Sequence, residues 1–236
     1  QDRVAMRACV GPETRVVFIA NPNPPTGGWL DCFALEAFIA DLPTHVMVVV
    51  DEAYSEYVEE DTYPDTTQWL ERFANLIVTR TFSKAYGLAG LRVGYAVSHP
   101  QVADLLNRVR QPFNVNLVAQ AAALAALDDH AHIAESVKRN REGMRQLLDG
   151  FSDLQLTWIE SVGNFVAVDT GRAGSDVYAA LLREGVIGRP VALYERPNQL
   201  RITVGTGEEI SRLREARADV LSCFSGSASV AGAAWG

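Results

Sequence analysis

Three short apolar runs constrain this chain more than any other feature. They are "RVVFIA" from Arg15, "HVMVVV" from His45 and "NLIVTRT" from Asn75. Each has the length of a strand and is rich in β-branched residues, and none alternates polar with apolar as a half-exposed strand does. Between the first two lies "LDCFALEAFIADL", an amphipathic helix pattern with Asp31 placed to cap it. Near-continuous apolar strands spaced by helices predict an α/β fold, with a mostly parallel sheet flanked by helices and covered on both faces. "GLRVGYAV", from Gly90, reads as a further strand. Two long helical patterns follow, "QVADLLNRVR" and an alanine-rich stretch from Leu117 to Gly150.

The pattern changes after Gly150. "LQLTWIE" and "NFVAVDT" alternate like strands, "SDVYAALLREG" is a helix with a glycine stop, "VIGRP" and "LRITVG" are short strands, and "GEEISRLREARADVLSCF" is a closing helix. This predicts a smaller α+β domain. The expected boundaries are 1–140 for the large domain, 141–224 for the small one and 225–236 for a frayed tail rich in small residues. "GTG" at 205–207 reads as a turn and helix cap rather than a phosphate loop.

The 236 residues carry a formal charge of −8, which argues against nucleic acid or an anionic membrane as partner. No apolar run approaches the ~20 residues of a membrane span. Three scattered cysteines, Cys9, Cys32 and Cys223, fit reduced thiols in the cytoplasm, and the histidines show no metal-ligand spacing.

Chemistry enters where the second apolar run ends. "VVVDEAYSEY" leads from buried strand directly into Asp51 and Glu52. A buried strand that ends in carboxylates calls for a positive partner. "TRTFSKAYGLAGLRVGY" supplies Lys84 and Arg92 among small apolar residues, with Lys84 just past the next strand. In open α/β sheets that edge is the ligand edge. Read singly, Asp51 is a helix cap, Glu52 a surface acid, Lys84 a solvated lysine and Tyr54 core. Read together, they suit a cofactor held by charge and by a covalent bond, as pyridoxal phosphate is.

"NPNPPTG", "VVDEAYSEY", "TFSKAYGLAGLRVGY" and "LRITVG", in that order, resemble the aminotransferase branch of the fold-type-I pyridoxal-phosphate enzymes, and within it the histidinol-phosphate aminotransferase family. The likeness runs from about Val16 to Ile210. It implies that Lys84 holds pyridoxal 5'-phosphate covalently and moves the substrate proton. It implies that Asp51 pairs with the pyridine nitrogen, that Tyr54 and Asn21 bond the phenolic oxygen, and that Ser83 and Arg92 hold the phosphate. Arg201 matches the arginine that grips a substrate carboxylate, Asn164 also touches that carboxylate, and Arg189 stands where the family binds a substrate phosphate. Pro24 replaces an asparagine usual in the family. The reaction implied is transfer of an amino group from histidinol phosphate to 2-oxoglutarate, in histidine biosynthesis. The partners implied are a small-molecule amino donor, a keto acceptor and a second subunit in a homodimer, and no metal is called for. An aromatic amino-acid aminotransferase, a threonine-phosphate decarboxylase and an inactive remnant serving as a dimerisation or binding module are the competing readings. The family also implies a segment ahead of the "NPN" turn that supplies a phosphate cradle and a stacking aromatic, so the chain is read as part of a longer enzyme.

Overall fold

The computed structural model describes residues 2–225, with side chains described to 216; of the expected tail, 225–236, Ser225 still belongs to the closing helix and the rest lies outside the described residues. The chain divides into two compact units, Gln1–Lys138 and the residues from Arg139 onward.

In the first unit, β1 (Val16–Ala20), β2 (Met47–Asp51) and β3 (Leu76–Thr81) lie side by side in parallel, and β4 (Gly94–Ser98) joins β3 antiparallel. The register aligns Phe18 with Val49 and Val49 with Ile77, and in the next row but one Ala20 with Asp51 and Asp51 with Thr79. Strand alternation sends Ile19, Val48, Val50, Leu76 and Val78 to one face. There they pack with Leu35, Phe38, Ile39 and Leu42, of and just beyond α2 (Cys32–Ala40). Asp31 caps α2 as expected, accepting from the Ala34 N–H at 2.7 Å.

The opposite face departs from expectation. Phe18 is 73% exposed and Val16 is also open, so among the described residues this face lacks a second layer. The reason lies in where the helices go. After α3 (Pro100–Val109), α4 (Leu117–Asp128) packs Ala119 and Ala123 against Phe82 and Val93, which flank the loop bearing Lys84, and not over the strand centres. The alanine-rich stretch also forms two helices where one was expected. It breaks at Asp129, whose side chain accepts from the His132 N–H at 3.0 Å and starts α5 (His130–Asp153). No described helix is long and apolar enough to cross a membrane.

The second unit is a four-stranded sheet in the order β5 (Trp158–Ile159), β6 (Phe165–Asp169), β8 (Gln199–Thr203), β7 (Arg189–Pro190), all antiparallel. One face of it, with Val166, Val168, Leu200 and Ile202, closes a core with the end of α5, with α6 (Gly174–Arg183) and with α7 (Gly207–Ser225). Past α6, Gly185 adopts φ 77° while the Val186 N–H reaches back to the Leu181 carbonyl at 2.9 Å, the glycine stop read from the sequence. At the start of α7, Thr206 and Glu209 cap each other reciprocally.

Gly94 marks how tightly β3 and β4 are joined. A Cβ there would fall 2.8 Å from the Arg80 carbonyl oxygen, a backbone atom with no rotamer to yield. Gly94→Ala is expected to destabilise the protein by about 1–3 kcal/mol in denaturant unfolding, the cost of overpacking a closed contact. An unchanged midpoint would show that the β3–β4 edge is free to move.

Candidate active site

Parallel pairing brings the carboxyl ends of β1, β2 and β3 to one edge, and the expected cofactor residues of the first unit gather there. Asp51 closes β2. Its carbonyl accepts from the Asn21 N–H at 2.9 Å and its side chain accepts from the Ala53 N–H at 3.2 Å. That bond turns the chain sharply and delivers Tyr54, 6% exposed, into the interior. From the end of β3 the chain enters Ser83 and Lys84. The Lys84 ammonium lies 5.2 Å from the centre of the Tyr54 ring, and no acid pairs with it among the described residues. The loop around the lysine is pinned at both ends: the Gly87 N–H donates to the Lys84 carbonyl, and the Leu88 N–H to the Phe82 carbonyl. His132 adds a contact that its sequence position did not reveal, with Nε2 3.1 Å from the Ala85 carbonyl oxygen.

Arg92 follows the short 3-10 turn Ala89–Leu91 with φ 54°, left-handed backbone that a side-chain-bearing residue rarely adopts. Its guanidinium donates to the Ala89 carbonyl at 2.8 Å and has no acid partner among the described residues. Asn21 is buried, and its carboxamide is engaged at both ends with the Leu30 backbone, accepting at 2.8 Å and donating at 3.1 Å. It therefore fastens the "NPNPPTG" turn, and one N–H is left for the cofactor role expected of it. The turn closes despite Pro24, with the Gly27 N–H donating to the Asn23 carbonyl at 2.7 Å.

Sequence reasoning missed the partner of the second acid. Glu52 is 1% exposed. One of its carboxylate oxygens accepts from the Thr66 hydroxyl at 2.5 Å and from the Thr66 N–H at 3.3 Å. The other accepts from Arg80 Nε at 2.9 Å and Nη2 at 2.7 Å, and Arg80 also donates to Asp65. Burial alone would make Arg80 easier to deprotonate, but Glu52 and, to a lesser degree, Tyr95 together outweigh it and hold the guanidinium charged. The cue was present: an arginine in an apolar strand beside a strand that ends in two acids. Nearby, burial raises the Glu56 carboxyl above the usual carboxylate range, a shift that Glu52 adds to and Arg80 opposes.

In the second unit, Arg189 of β7 and Arg201 of β8 are direct cross-strand partners. Arg201 lies with its guanidinium carbon 5.1 Å from the centre of the Phe165 ring, and its buried Nε has no hydrogen-bond partner among the described residues. Two cations side by side repel unless an anion joins them. Asn164, at the start of β6, spends its carbonyl on the Val204 N–H.

The profile of the aminotransferase class I and II family matches residues 2–216. This chain belongs to that family. The aminotransferase chain is 58% identical over 221 residues to histidinol-phosphate aminotransferase 2 of Pseudomonas aeruginosa, covering 94% of this chain and 60% of the relative. It is 56% identical over 223 residues to histidinol-phosphate aminotransferase 1 of Nitrosococcus oceani, with the same coverage. It thus spans about 60% of the length of these curated relatives. Among solved structures it resembles the histidinol-phosphate aminotransferase of Sinorhizobium meliloti in complex with pyridoxal-5'-phosphate, with a TM-score of 0.87 at 32% identity, over 94% of this chain and 62% of that one.

Glu56 gives the unit a pH dependence of known sign. Its raised pKa means that the folded state keeps a proton the unfolded chain has lost. Stability is therefore full below the ordinary glutamate range and falls as pH rises through the raised value. Glu56→Gln is expected to flatten that fall and to raise the denaturation midpoint at neutral pH more than at pH 4. A slope identical to wild type would show that Glu56 ionises freely.

Proposed function

We propose that this chain carries the lysine-bearing side of a pyridoxal-phosphate site, and that the enzyme transfers the amino group of histidinol phosphate to 2-oxoglutarate, giving imidazole-acetol phosphate and glutamate. The observation that carries the reading is Lys84, without an ion pair among the described residues and set against the buried Tyr54, one strand from a terminal Asp51, in a chain of the aminotransferase family. The donor set suits the cofactor. It offers an amine for an aldehyde, a carboxylate for a ring nitrogen, and Ser83 with an acid-free Arg92 for a phosphate. When bound, pyridoxal phosphate supplies a covalent handle and an electron-withdrawing ring.

The side chains divide the remaining work. Asp51 keeps a proton on the ring nitrogen. Tyr54 orients the ring through its hydroxyl, with the second N–H of Asn21 beside it. Lys84 would take the proton from the substrate carbon that bears nitrogen and deliver it to C4′ of the cofactor, the former aldehyde carbon. Arg201, with an unsatisfied buried donor, suits the carboxylate of glutamate, with Asn164 assisting. Arg189, its cross-strand neighbour, adds the second positive charge that a phosphate-bearing substrate calls for. The names of the two curated relatives support the same substrate. The reading extends to a homodimer in the cytoplasm, supported by the exposed Leu105, Val109, Leu117 and Leu124 of α3 and α4 and by the free thiols of Cys9 and Cys32.

Lys84→Ala is expected to abolish transamination in the full chain. Arg189→Ala is expected to weaken histidinol phosphate roughly ten- to a hundredfold, the worth of one charge-assisted contact, while leaving glutamate nearly unchanged. Steady-state kinetics with each substrate checks both. Equal losses for the two substrates would remove the phosphate role of Arg189.

A further inference from the structure

We infer that the buried Glu52–Arg80 ion pair is a positioning device that sets Asp51 and Tyr54 against Lys84, a role beyond holding the fold. The inference rests on the pyridoxal-phosphate reading above. Glu52 stands between the two residues that it would place: Asp51 precedes it, and Tyr54 follows two residues on. Arg80 stands on β3, three residues before Ser83 and four before Lys84. The pair thus joins the exit of β2, which carries the acid and the hydroxyl, to the exit of β3, which carries the lysine.

Five features make this joint stiff. Both oxygens of the carboxylate are occupied, at 2.5 and 3.3 Å by Thr66 and at 2.7 and 2.9 Å by Arg80. Arg80 approaches with two nitrogens on one oxygen, which restricts rotation as well as distance. A further bond of 3.0 Å from the same Nη2 to Asp65 restrains the guanidinium further. Glu52 is 1% exposed, so water does not compete for these bonds. The backbone couples the same two strand ends, since the Glu52 N–H donates to the Thr79 carbonyl at 2.9 Å. A buried ion pair is a poor source of net stability compared with apolar packing of the same volume. Its place one residue from the acid proposed for the cofactor is better explained by geometry than by stability.

The inference also accounts for the order of the two acids. Asp51 lies on the open face with Ala20 and Thr79. Glu52 faces the interior on the side of Arg80. A single planar peptide unit links the two residues, and the bonds of the Glu52 N–H to the Thr79 carbonyl and of the Asn21 N–H to the Asp51 carbonyl limit rotation about it.

The test uses the full chain loaded with pyridoxal phosphate and two variants, Glu52→Gln and the double variant Glu52→Gln, Arg80→Gln. Glu52→Gln keeps the shape and the Thr66 contact but loses the charge-assisted fork. Three quantities are read: the denaturant midpoint, the pH midpoint of the bound cofactor's visible absorption band, and kcat and KM for glutamate. The expected result for Glu52→Gln is a pH midpoint displaced from wild type and kcat lowered at least tenfold, with KM changed less than threefold. The double variant, which leaves no buried unpaired charge, should regain denaturant stability without regaining kcat or the wild-type pH midpoint. A wild-type pH midpoint and kcat in Glu52→Gln, or recovery of both in step with stability in the double variant, would overturn the positioning role. A wild-type protein with no visible band on addition of cofactor would instead overturn the pyridoxal-phosphate reading itself.

Discussion

Successive residues of a strand face opposite ways, and the chemistry at the carboxyl edge follows from applying that constraint to two adjacent acids. Asp51 closes β2 in a row with Ala20 and Thr79, on the face where Phe18 and Val16 lie open. Glu52 turns inward and meets Arg80 and Thr66. One acid is thereby available to a ligand and the other is consumed in structure. Had the β2 register slipped by one residue, the two would exchange roles and Arg80 would lose its partner.

Energetically the inward acid is the demanding one. Removing a single partner of a buried ion pair costs about 3–5 kcal/mol, comparable with a large part of a domain's net stability. Asp51 carries no such burden in the fold: its side chain makes a single turn-closing bond to Ala53. Lys84 likewise forms no ion pair among the described residues, and neither does Arg92. The charged groups proposed for the cofactor are those without an ion pair among the described residues, whereas Glu52 and Asp65 share the one cation of Arg80. The same division holds in the second unit, where Arg201 rests on Phe165 with an orphaned donor and Arg189 stands opposite it.

Much of this was legible in the sequence because it depends on local pattern. The apolar runs gave β1, β2 and β3 their places. Asp31 announced α2, Gly185 the end of α6, and the "GTG" turn at 205–207 the start of α7. Lys84 stood out through its small apolar neighbours. What escaped depends on long-range geometry. The Glu52–Arg80 pair spans 28 residues and needs the β2–β3 register to be seen. The break at Asp129 hides in an alanine-rich stretch whose helix propensity is high on both sides. Coverage of the sheet on one face was invisible to strand patterns alone, since Phe18 and Val49 read as buried whether or not a layer covers them. The double engagement of Asn21 with Leu30 likewise depends on how the turn folds back over nine residues.

The central claim is that Lys84, among all the amines of the chain, is the one that a pyridoxal phosphate bonded at this edge would engage. Borohydride reduction of the full-length protein incubated with the cofactor, followed by proteolysis and mass spectrometry, tests it directly. The account predicts a single pyridoxyl-phosphate adduct on the peptide that contains Lys84, suppressed when Asp51 is changed to alanine. An adduct on Lys138, or scattered labelling unaffected by Asp51→Ala, would contradict it.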